Sequence, residues 1–157
     1  MGVAQDLDRA SALYGDACMD GFAMACHYLG NMYDTGDGMP QNIEAAMSLF
    51  EAACNQGFVA SCHNLAVLMT KTQRSETTTT KKAVELLERA CRQDDFLDSC
   101  ASLGSLYLLG EVVPQDLSRA TVLFEKACSD GKGRADVCDL LKDIPQLMLQ
   151  SSGASSR

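Results

Sequence analysis

All eight cysteines of this 157-residue chain fall into four local pairs: Cys18 with Cys26, Cys54 with Cys62, Cys91 with Cys100, and Cys128 with Cys138. The first members recur at intervals of 36, 37 and 37 residues, and none is left over. A fixed period of this length marks a repeat architecture, in which each small unit buries its apolar face against the next. Whatever the chain folds into is therefore built from copies of one motif.

Other residues keep the same register. Ala10, Ala46, Ala83 and Ala120 stand eight positions before each first cysteine, Leu13, Leu49, Leu86 and Leu123 five before, and Ala17, Ala53, Ala90 and Ala127 one before. Steps of three and four place them on one face of a helix. Three residues after each second cysteine come Leu29, Leu65, Leu103 and Leu141, with Tyr33, Met69 and Tyr107 about one turn later, which predicts a second amphipathic helix. Asp6, Asn42, Thr79 and Asp116 are expected to cap the first helix of each unit with a side-chain oxygen. Gly21, Gly57 and Gly131 stand where a helix stop requires positive φ, with Asp94 and Asp95 in the third unit. Pro40 and Pro114 fall in the loops ahead of the caps, where a missing donor does little harm.

The expected helices lie near 7–19, 23–34, 43–55, 60–70, 80–93, 98–109 and 117–129, with a last one from about 134. The stretch from Lys71 to Lys82 reads as a solvated loop, with a contact site as the alternative reading. Pro145 is expected to end or kink the last helix. Residues 1–149 then form a single domain of about three full repeats and two half-repeats, followed by a flexible tail over 150–157.

With Gln5-Asp6, Gln41-Asn42 and Gln115-Asp116 repeating even the turn, the pattern resembles the Sel1-like repeat, a relative of the tetratricopeptide repeat, over roughly residues 3–142. The resemblance implies an all-α, right-handed α-solenoid that acts as a non-enzymatic scaffold for other proteins. Paired cysteines at these positions look like two branches of the family. One holds an assembly factor of a respiratory complex in the mitochondrial intermembrane space. The other holds secreted bacterial proteins, some with β-lactamase-like or peptidoglycan-binding roles.

Helix geometry bears on the cysteines directly. Packed helix axes lie about 8–10 Å apart with Cα atoms about 2.3 Å off each axis, so facing Cα atoms approach to about 5 Å. That is the range of a disulfide. Structural zinc asks instead for four converging ligands, usually from close Cys pairs. Intramolecular disulfides are the favoured reading, with free buried thiols and metal as the alternatives. Disulfides imply an oxidising compartment. Met1-Gly2-Val3 leads directly to Asp6 and Asp8 without the basic and then apolar segment of a signal peptide, which points to the intermembrane space, or alternatively to a periplasm or secretion.

A formal charge of −8 disfavours nucleic acid and anionic lipid as partners, and no apolar run reaches the roughly 18 residues of a membrane span. No cofactor is implied. His27 and His63, each following a second cysteine, read as one exposed row, with haem or redox carriage as the sharper alternative. Ser129-Asp130-Gly131-Lys132 matches Ser-x-x-Lys only weakly, because Gly131 marks a helix exit. Gly36-Asp37-Gly38 reads as a turn. Met19, Met24, Met32, Met39, Met47 and Met69 read mostly as core filler. Leu7 and Tyr14 at one end, and Leu147, Met148 and Leu149 at the other, are candidate partner contacts because repeat ends leave apolar faces uncapped.

Overall fold

Period, caps and glycine stops translate into eight helices among the residues that the computed structural model describes, which are 3–72, 77–93, 96–129 and 135–153. No strand occurs among them. They divide into two compact units, Met1–Thr72 and Gln73–Arg157. The first contains α1 (Val3–Met19), α2 (Ala23–Thr35), α3 (Ile43–Asn55) and α4 (Val59–Thr72). The second contains α5 (Thr77–Cys91), α6 (Leu97–Leu109), α7 (Leu117–Cys128) and α8 (Ala135–Gly153). Within each unit every helix packs chiefly on its neighbours in sequence.

The repeated alanines of α3, α5 and α7 are among the most buried positions, while Ala10 and Ala17 of α1 are half-buried. Ala46, Ala83 and Ala120 are fully buried, and Ala53, Ala90 and Ala127 are nearly so. Small side chains here let paired helices approach, and one large ring per junction fills the remaining space. In the first unit Phe50 is fully buried over Gly30, where an added Cβ would come within 2.7 Å of the ring. In the second, Phe124 lies over Gly104, where the same Cβ would come within 2.8 Å. Neither glycine has room for alanine without displacing a locked ring.

The turns explain the repeated Gln-Asn and Gln-Asp pairs. Gly36 (φ 79°) ends α2 and Gly110 (φ 70°) ends α6, both left-handed. Gln41 Nε2 then donates to the Asp34 carbonyl, and Gln115 Nε2 to the Leu108 carbonyl. The Asn42 and Asp116 amides donate to the carbonyls of Tyr33 and Tyr107, which holds both residues extended. From there Asn42 Oδ1 accepts from the Ala45 amide at 3.1 Å and Asp116 Oδ1 from the Arg119 amide at 2.9 Å. Gly21 and Gly57 take positive φ as expected.

Several expectations are corrected. Asp6 is not a cap but lies in the first turn of α1. Thr79 likewise lies inside α5, which starts at Thr77 without the Gly-Pro turn that sets up the other caps. Helix α4 runs on to Thr72, so much of the stretch read as a loop is helical, and residues 73–76 lie outside the described ones. Pro145 does not end α8, which continues to Gly153. Ile144 and Val137 are buried and anchor the helix, so packing outweighs the one backbone bond that proline removes. Leu13 is 60% exposed although it shares the register of the buried Leu86. The helix stops expected at Asp94, Asp95 and Gly131, and residues 154–157 of the expected tail, lie outside the described residues.

Candidate functional site

The cysteines sit at the closed end of each helix pair, one in the last turn of the leading helix and one near the start of the next. All four local pairs are bonded: Cys18–Cys26, Cys54–Cys62, Cys91–Cys100 and Cys128–Cys138. Their Cα atoms lie 4.7 Å apart in the first three and 5.6 Å in the fourth, the separation that helix packing predicts. No free cysteine remains. Each bond ties a helix to its own partner, which makes each pair a covalent hairpin.

The two histidines do not form an exposed row. Both are half-buried. His27 packs its ring against Phe58 and Phe50, with centroids 4.9 and 5.7 Å away. Asn31 Nδ2 donates to His27 Nε2 at 3.1 Å, so Nδ1 carries the ring proton and donates to Ser61 Oγ at 2.9 Å. Asn64 Nδ2 donates in turn to Asn31 Oδ1 at 3.0 Å. This chain joins α2 to α4 and uses both ring nitrogens of His27, leaving neither to bind haem or metal. Burial pushes the His27 pKa below its ordinary value. Sequence reasoning missed the network because its members come from two repeats and meet only through packing. Among the described residues no group of three or more His, Cys, Asp or Glu side chains could hold a metal ion.

In the second unit, a groove of about 450 Å³ opens between α5 and α7 over α6. Leu103 and Tyr107 are buried at its floor, and Val122 stands 63% exposed on its wall. Arg119 Nη1 donates to the Tyr107 hydroxyl at 2.9 Å, with the guanidinium carbon 5.3 Å from the ring centroid. Its Nε lies 3.6 Å from Asp116 Oδ2. The bond to Tyr107 and the nearby acidic groups raise the Arg119 pKa, so the group stays charged throughout the working range. Lys126 Nζ donates to the Cys91 carbonyl at 2.7 Å, tying α7 to the end of α5. None of the groove's charged residues stood out in sequence. The available signal was that Arg92 and Arg119 replace Met19 and Ala45 of the first unit when the cysteines are aligned.

The first unit carries a separate apolar surface on α1 and α2, bounding about 680 Å³. Tyr14 stacks on Tyr28 with centroids 5.4 Å apart, and Phe22 and Met24 beside them are 64% and 56% exposed. Tyr14 therefore joins a patch with Phe22, Tyr28 and Met24, of which the sequence reading named only Met24, and that as core filler. Leu7 is half-buried and packs elsewhere, against the turn at Gly38, where an added Cβ would meet its own at 2.5 Å. At the other end Leu147 and Leu149 are exposed and Met148 is half-buried. Of the methionines, Met32 and Met69 are buried, Met39 and Met47 half-buried, and Met19 and Met24 exposed. Ser129 leaves α7 extended and donates to the Lys126 carbonyl, while Asp130 to Lys132 lie outside the described residues. Gly36 to Gly38 form the turn between α2 and α3. Among the described residues no helix is long and apolar enough to cross a membrane.

The Sel1 repeat profile matches residues 23–58, 79–95 and 97–132, more than half of the chain. The chain is similar to the solved structure of a Sel1 repeat protein from Oxalobacter formigenes, at 26% identity and a TM-score of 0.70, over 87% of this chain and 54% of that one. It is also similar to a protective antigen of uropathogenic Escherichia coli displaying an SLR fold, at 19% identity and a TM-score of 0.44, over 85% of this chain and 36% of that one. The chain thus spans about half or less of the length of these two structures. No curated protein matches it.

Proposed function

We propose that this chain, which belongs to the Sel1 repeat family, is a non-enzymatic scaffold that holds another protein in an oxidising compartment. The carrying observation is that each helix pair is closed by its own disulfide while large apolar side chains such as Phe22, Met24 and Val122 stay exposed. Covalent closure limits the entropy lost when a surface engages a partner, and exposed aromatic and aliphatic groups supply the contact area. In its finer form the reading is an assembly factor or accessory subunit of a mitochondrial respiratory complex, facing the intermembrane space, with subunits of that complex as partners. Four disulfides support an oxidising address, and the cysteine-rich branch of the family supports this one.

A bacterial periplasm or exterior is the second address for the same scaffold role, since four disulfides suit any oxidising compartment. A native gel of mitochondrial lysate, with mass spectrometry of the band that holds this chain, tests the first reading. Co-migration with a respiratory complex is the expected result. A monomeric band free of other proteins removes it.

A further inference from the structure

We infer that the groove between α5 and α7 takes a segment of a partner protein in which carboxylates flank an aliphatic side chain. This inference rests on the scaffold reading and names the chemistry of the partner. The chain carries a net charge of −8, yet the groove gathers two arginines, Arg92 and Arg119, whose acidic neighbours are Glu88 on the lining and Asp116, 3.6 Å from Arg119 Nε. In the cysteine register, the first unit has Met19, Ala45 and Ser48 where the second has Arg92, Arg119 and Val122. At this place the second unit therefore carries two cations and an aliphatic side chain that the first unit lacks.

Arg119 is held in position by the Tyr107 hydroxyl, and its side chain remains 64% exposed. A guanidinium fixed in advance loses little freedom when it meets a carboxylate. Arg92, on the opposite wall, has no ion pair among the described residues and can swing towards a second acid. Val122 stands exposed on the groove wall, and Leu103 and Tyr107 form an apolar floor for one aliphatic group. A small inorganic anion would use the arginines and leave Val122 in water. A nucleic acid would likewise bring no aliphatic side chain to Val122 and the apolar floor. The Cys91–Cys100 bond and the Lys126 hydrogen bond to the Cys91 carbonyl tie α5 to both of the other helices that form the groove and so fix its walls in place.

Fluorescence anisotropy tests this with the oxidised full chain and a fluorescein-labelled eight-residue peptide of alternating Asp and Leu. The control is the same peptide with Lys in place of Asp. The acidic peptide is expected to bind at least about tenfold more tightly than the basic one, and more weakly as salt rises. Arg92→Glu and Val122→Asp should each weaken it by about tenfold or more, whereas Ser48→Asp, at the matching place in the first unit, should leave it unchanged. All three side chains are exposed, so circular dichroism of the variants should match the parent. Equal affinity for the two peptides, no binding of the acidic one, or indifference to both groove substitutions overturns the assignment. If the peptide fails while the native chain still co-migrates with a complex, the groove assignment falls alone. A native chain that migrates by itself takes the scaffold reading with it.

Discussion

The α2–α3 junction of the first unit and the α6–α7 junction of the second use one backbone solution for two different surfaces. In both, a glycine in the leading helix receives a buried phenylalanine, a left-handed glycine ends that helix, and a glutamine and a capping Asn or Asp set the start of the next. The residues around that frame then diverge. The first unit places His27 and Asn31 where the second has Ala101 and Ser105, and joins its helices through a polar chain. The second places Arg119 where the first has Ala45, and opens a charged groove instead. The difference teaches that the frame is kept in both units while the positions beside it are free to differ, joining helices through a polar chain in one and lining a charged groove in the other.

Removing the covalent frame should cost both units most. On the chain-entropy account each bond contributes about 2.5 kcal/mol, so four together are comparable to the whole stability of an ordinary domain, about 5–15 kcal/mol. Thermal melts by circular dichroism with and without a phosphine reductant should differ by tens of degrees, and coincident melts would refute the claim.

Gly30→Ala and Gly104→Ala come next. Each drives a methyl group into a ring with nowhere to move and should cost about 1–3 kcal/mol in denaturant unfolding. Unequal losses would break the equivalence of the two junctions.

His27→Ala converts the first junction towards the second and should cost about 1–2 kcal/mol near neutral pH, through the stranded Ser61 and Asn31. It should also remove a pH dependence. Because the folded protein holds the His27 pKa below the ordinary value of about 6.5, the unfolded chain takes up the proton first. The stabilisation is whole above that pH and is lost as pH falls through it towards the lowered folded value. The difference between parent and variant stability should therefore shrink with acidification between pH 7.5 and 5, and a constant difference would contradict the assignment.

The caps give the smallest effects: about 1 kcal/mol each for Asn42→Ala and Asp116→Ala, and only a few tenths for Asp6→Ala, which loses no cap bond. An Asp6→Ala loss equal to the others, measured by urea unfolding, would restore Asp6 as a cap.

Most of the frame was legible because its residue types recur at one period. Cysteine and alanine positions each need a particular chemistry and leave a mark in every copy, whereas the glycine stop is replaced in the third and the caps act at Asn42 and Asp116. Asp6 and Thr79 misled because a cap depends on the extended backbone before it, which Tyr33 and Tyr107 impose on Asn42 and Asp116 and which no residue type announces. Pro145 does not end α8 because the buried Ile144 and Val137 anchor the helix. The His27 network and the Arg92–Arg119 groove were hidden for one reason. Each joins residues from different copies, and the repeat register shows what is shared between copies while the surface is made by what differs.

The central claim is that every helix pair is locked by its own local disulfide. Non-reducing peptide mapping by mass spectrometry, after alkylation of the folded protein, tests it most directly. The account predicts no alkylated cysteine and only the links Cys18–Cys26, Cys54–Cys62, Cys91–Cys100 and Cys128–Cys138. Eight alkylated thiols, or links joining different pairs, would contradict it.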